Sequence, residues 1–178
     1  MKIQNSVLVI ATVLMAFFSF QSISLAQTNM EEFLNKWENG KQFTLEVVDK
    51  MPENLYDYKP EASAMSFNEQ VSHLSTVIVG ISQRFLKGTD SGIDLNAKPK
   101  NKAELRAFVE KCYDFANMTF KNLSMADLDE KVEIFGTTAT RREVISLMDD
   151  HCTHHRGAAV SYIRANGIEP PRYRGMGM

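Results

Sequence analysis

Cysteine is scarce in this chain, with two in 178 residues. That is too few for a disulfide scaffold. No run of basic residues is present, and no interleaving of arginine with aromatics, so a nucleic-acid groove is a poor expectation for a chain of net charge −2. There is no internal repeat and no low-complexity tract. A Cys-x-x-Cys-His haem-attachment site is missing too. After the first residues no second hydrophobic stretch appears, which argues against a membrane-spanning domain.

The one long apolar run lies at the start. Lys2 supplies a short positive region, and Val7 to Phe20 carries no charge. Ser22-Ile23-Ser24-Leu25-Ala26 then sets small residues where a signal peptidase reads, and this pattern predicts a signal peptide over 1–26 cleaved after Ala26. The run is short for a bilayer span, and no cysteine stands at the cleavage point to carry a lipid. The expectation is a secreted or periplasmic protein with no stable membrane anchor. Its mature domain, 27–178, has about 150 residues, enough for one real core.

Four segments show helical periodicity. In the first, Phe33, Trp37, Thr44, Val47 and Met51 form an apolar stripe that Pro52 ends. Residues 53–64 read as an ordered loop. Ser66 with Glu69 is a capping box opening the second helix, whose buried stripe is Val71, Leu74, Ile78, Ile81 and Phe85, with His73 at its edge. A loop over 89–100 precedes the third helix, capped by Asn101 and Glu104, with Leu105, Phe108, Val109, Cys112, Ala116, Thr119, Phe120 and Leu123 inward. Lys131 to Phe135 alternates before Gly136, suggesting a small extended arm. Thr140 and Glu143 form another capping box. Beyond it Val144, Leu147, Met148, His151, His155, Ala158 and Tyr162 share an inner face, until Gly167 and Pro170-Pro171 stop the helix. Helices of roughly 20 residues, about 30 Å each, predict an all-α four-helix bundle.

The chemistry gathers at Asp149-Asp150-His151-Cys152-Thr153-His154-His155-Arg156-Gly157, which holds three of the four histidines. His151 and His155 lie one helical turn apart on one face. Two neighbouring buried imidazoles repel if both protonate, and a divalent metal resolves this by taking a lone pair from each neutral ring. His73, inside another helix, is expected to complete a three-histidine site. Three protein ligands leave a coordination position open, as catalytic and ligand-binding metals require. Zinc, nickel and iron all suit imidazole. Cys152 stands where a zincin metalloprotease has its glutamate base, so that activity is disfavoured.

The closing run His151-Cys152-Thr153-His154-His155-Arg156-Gly157, Tyr162-Ile163-Arg164-Ala165-Asn166-Gly167 and Pro170-Pro171 resembles the signature of the DinB/YfiT-like superfamily. Tyr56-Asp57-Tyr58-Lys59-Pro60, Ser66-Phe67 and His73-Leu74 resemble that family's second-helix region. The resemblance implies a four-helix bundle with a divalent metal held by three histidines, which carry over onto His73, His151 and His155. Members with known activity include thiol-dependent S-transferases and a thiol-dependent maleylpyruvate isomerase.

Other residues carry weaker expectations. His154 is set about 60° from His151 on the helical wheel, which leaves open a role supporting the metal ligands, a role touching substrate, and a solvent-facing position. Asp150 and Glu69 are candidates to orient ligand imidazoles, against the commoner fate of surface carboxylates. Arg156 and Arg164 could meet an anionic substrate or form rim ion pairs. Trp37 is expected in the core. Cys112 and Cys152 fall at similar depths, which leaves a disulfide and buried free thiols equally open. The functional expectation is a divalent-metal-dependent enzyme acting on a small molecule by thiol S-transfer or hydrolysis. Its alternative is a non-catalytic metal- or ligand-binding envelope protein. No residue stands out as the general base, and a homodimer is allowed.

Overall fold

The computed structural model describes residues 30–175, so the predicted signal peptide over 1–26 lies outside the described residues. The chain divides into units of residues 1–35 and 36–178. In the first, residues 30–35 are helical. The second unit carries all four histidines.

This second unit is mostly helical. Helix α1 covers its residues 36–50, and Pro52, in extended backbone, ends the run and leads into a 3-10 turn, Glu53–Leu55. Helix α2 (Phe67–Phe85) starts at Ser66, whose hydroxyl accepts from the Glu69 amide while the Glu69 carboxylate accepts from the Ser66 amide. Asn101 caps helix α3 (Lys102–Lys121) through the Glu104 amide. A short helix α4 (Met125–Asp129) follows, boxed by Ser124 and Asp127. The predicted extended arm is a hairpin of β1 (Lys131–Ile134) and β2 (Thr137–Thr140), antiparallel, with Lys131 opposite Thr140 and Ile134 opposite Thr137. Its two turn residues, Phe135 and Gly136, both have positive φ. Helix α5 (Arg141–Ala165) begins in the Thr140–Glu143 box. It closes with Gly167 at φ 72, where the Ile168 amide donates to Ile163 and the Gly167 amide to Arg164.

The core sits where α2 meets α3 and α5. Leu74, Ile78, Leu105, Val109, Val144, Met148 and Ile163 are buried there. Helix α1 docks on α3 through Trp37, whose Nε1 donates to the Tyr113 carbonyl at 3.3 Å and whose ring lies 4.7 Å from Tyr113 and edge-on to Phe120. An indole this deep needs that acceptor, since an unpaired buried N–H costs on the order of 1–3 kcal/mol. Arg156 of α5 crosses to the Gly40 carbonyl of α1 at 3.3 Å and lies over the Phe43 ring.

One inward assignment fails. Leu147 is 43% exposed, whereas Val144, Met148, Cys152, Ala159 and Ile163 are buried. The buried line on α5 therefore runs one position beyond Leu147, and the histidines stand at its edge. Among the described residues no helix is long and apolar enough to cross a membrane.

Candidate metal centre

His151 and His155 stand one turn apart on α5, and His73 projects from α2. Because α2 and α5 pack together, the three rings converge. Their centroids are 4.4 Å apart for His151 and His155, 4.7 Å for His73 and His155, and 5.2 Å for His73 and His151. One ring nitrogen from each lies within 4.8 Å of the others. Among the described residues the cluster has three donors and no fourth.

The electrostatics favour the neutral form of the two rings on α5. Burial first, then the rings of His151 and His73, holds His155 down to about 4. Burial, followed by His73 and His154, likewise lowers His151, with only a small opposing pull from Asp150. Neutral imidazoles offer lone pairs rather than protons. Nδ1 of His151 is buried and has no hydrogen-bond partner. An orphaned nitrogen beside two further imidazole donors is the arrangement a nitrogen-preferring divalent cation satisfies, so the residues fit one.

Gln70, one turn before His73, is the residue sequence reasoning missed. Its Oε1 lies 2.6 Å from His155 Nδ1, and its Nε2 donates to the Tyr162 hydroxyl at 3.2 Å. The available signal was a glutamine on the inward side of α2, three positions ahead of a histidine, but its partners are 85 and 92 residues away in sequence. Glu69, offered above as an imidazole orienter, instead accepts from the Ser66 amide at 2.6 Å and pairs with Lys59 at 3.1 Å. Those contacts hold its carboxyl below the usual range.

The remaining candidates fall outside the cluster's first contacts. His154 is exposed, its ring edge-on to His155 at 4.9 Å. Asp150 and Arg164 are exposed. Arg156 is engaged by Gly40, Thr44 and Thr153, in helix packing. Cys112 and Cys152 are free and buried, and burial pushes both thiols up to about 12. His73 also borders a cavity of about 550 Å³ between α2 and two loops.

Comparison with known proteins agrees with this architecture. The model of a family described as the DinB family matches residues 25–177. The protein YjoA of Bacillus subtilis (strain 168) is 24% identical over 154 residues, covering 84% of this chain and 98% of YjoA. The crystal structure of that DinB-like protein superposes with a TM-score of 0.67 at 22% identity, over 82% of this chain and 98% of the other. A DinB-like protein from Bacillus cereus ATCC 10987 gives a TM-score of 0.70 at 15% identity, over 79% and 95%. At these identities the solved structures speak for the fold.

Proposed function

The chain belongs to the DinB family, and from that membership together with the histidine cluster we propose that it is a metal-dependent enzyme acting on a small molecule, by thiol S-transfer or hydrolysis. Its four long helices form a four-helix bundle, and His73, His151 and His155 are the ligands of one divalent cation, zinc, nickel or iron. The observation that carries this reading is the convergence of three ring nitrogens from two helices within 4.8 Å, with no fourth protein donor among the described residues. When bound, such a cation supplies Lewis acidity, which lowers the pKa of a water or thiol and polarises an electrophile. The chain's own part is positional. Burial and mutual repulsion keep His151 and His155 unprotonated, and Gln70 fixes the ring of His155.

Elemental analysis of protein purified without chelator tests this. The expected result is about one divalent ion per chain, lost in His151→Ala. Metal-free wild-type protein that also takes up none of the three ions on dialysis would end it.

Residues 1–26 are read as a cleaved signal peptide delivering a secreted or periplasmic mature chain over 27–178, unanchored in the membrane and free to pair as a homodimer. The uncharged run from Val7 to Phe20, followed by the small residues of Ser22-Ile23-Ser24-Leu25-Ala26, supports the leader and its cut. N-terminal sequencing of the exported protein checks the cut after Ala26.

A second reading, a non-catalytic envelope protein that binds a metal or ligand, is favoured by one observation. Among the described residues no carboxylate hydrogen-bonds to any of the three rings, and the contact to His155 Nδ1 is an amide. Turnover of a thiol-plus-electrophile panel by metal-loaded protein separates the two.

A further inference from the structure

The cavity beside His73 has a construction that points to a ligand class. One wall is a single face of α2, carrying Glu69, Ser72, His73 and Thr76 at helical spacing. The other walls are two loops, and both are pinned to the start of α2. On one side the amides of Phe67 and Asn68 donate to the Tyr58 and Tyr56 carbonyls at 3.0 and 2.9 Å. On the other, the Asn68 side chain donates to the Pro99 carbonyl at 2.8 Å, and Asp94 organises its own turn by accepting from the Asn96 amide. The space is therefore formed in advance. Its 550 Å³ lies inside the roughly 300–1,000 Å³ range of small-molecule sites.

The charges on these walls do not cancel. Glu69 is spent on Lys59 and on the Ser66 amide, so that pair contributes little net field. Lys98 makes no ion pair or hydrogen bond among the described residues, and it is the one uncompensated charge on the lining. Beside it, Met65 (39% exposed) and Leu95 offer apolar surface. A positive point, an apolar patch and a histidine of the cluster thus share one pre-formed space.

We propose that this cavity is the substrate subsite, and that it takes a small amphipathic molecule carrying a single anionic group such as a carboxylate, with Lys98 meeting the anion, the apolar body lying against Met65 and Leu95, and the reacting end turned toward His73. This rests on reading the histidine cluster as the reacting centre. Lys98 is then a specificity determinant, doing what the sequence suggested for Arg156 and Arg164.

Two thiols that differ by a carboxylate, N-acetylcysteine and N-acetylcysteamine, are the probes. In the metal-free full chain, limited acetylation read by mass spectrometry should show N-acetylcysteine shielding Lys98 but not Lys100, and N-acetylcysteamine shielding neither. In cobalt-loaded protein, N-acetylcysteine should perturb the visible spectrum at about tenfold lower concentration than its neutral analogue, an advantage equivalent to one charged contact. Lys98→Met should erase that advantage and leave N-acetylcysteamine unchanged. Equal behaviour of the two thiols, or an advantage that survives Lys98→Met, overturns the proposal, as does unprotected Lys98. Cobalt failing to bind while Lys98 is still shielded would sink the metal reading and leave the anion subsite standing.

Discussion

Oε1 of Gln70 lies 2.6 Å from Nδ1 of His155, and the other end of the same amide donates to Tyr162. With its N–H committed to the tyrosine, the glutamine can only accept from the ring. His155 therefore carries its proton on Nδ1 and leaves the Nε2 lone pair free.

Gln70→Leu, similar in volume, should lower divalent-metal affinity about 10–100-fold, the usual cost of losing such a supporting contact. Gln70→Glu should stay near wild type, because a carboxylate still accepts from Nδ1. Competition with a chromophoric chelator measures both. Matching affinities for Gln70→Leu and wild type would reduce the glutamine to packing.

Acid stability should depend on the cluster that ties α4 to α5. Lys87, then Ser124, holds the Asp127 carboxyl well below its ordinary range, and Arg141, then Lys87, lowers Glu130. A carboxylate with a depressed native pKa stabilises fully above its unfolded value and loses that contribution as pH falls through the native one. The melting temperature should thus begin to drop as pH passes the ordinary values of 3.8 and 4.5 and continue downward. Asp127→Asn should flatten that slope while changing little at pH 7 beyond the loss of the Lys87 contact. A slope unchanged by the substitution counts against the cluster.

The two thiols should be silent in the native protein. Cys112 and Cys152 are buried, free and pushed up to about 12, so almost no thiolate exists at pH 8. An Ellman titration should find no fast-reacting thiol in the folded chain and both cysteines in denaturant. Rapid labelling of the folded protein would contradict the burial.

Two glycines should respond to alanine with opposite signs. A Cβ at Gly88 would stand 2.7 Å from the Ser82 carbonyl oxygen, while one at Gly80, inside α2, meets nothing within 4 Å. Gly88→Ala should destabilise by about 1–3 kcal/mol. Gly80→Ala should stabilise by roughly 0.5–1 kcal/mol through helix propensity. Urea unfolding of both variants reads the difference directly.

The local grammar of the helices was legible. Ser66, Asn101 and Thr140 all cap the helices assigned to them, because capping depends on residues three apart. Helix α4 leaves little trace in the sequence, since five residues carry no periodicity and only the Ser124–Asp127 box announces it. Leu147 fits the apolar pattern as well as Met148 does; which one faces inward depends on the rotation of α5 against α2 and α3, a property of the packed ensemble. The histidine pair was visible as an i, i+4 spacing, and His73 followed by chemistry. Gln70 needed Tyr162 beside it before its role could be seen.

Three donors on two helices have a practical consequence. Anything that settles at their meeting point ties α2 to α5, so occupancy must raise the temperature at which the whole unit melts, in proportion to the logarithm of ligand excess over Kd. A plain dye-based melting scan across a metabolite library, run with and without added metal, therefore becomes a route to whatever ligand the cluster holds, with no prior guess at its chemistry.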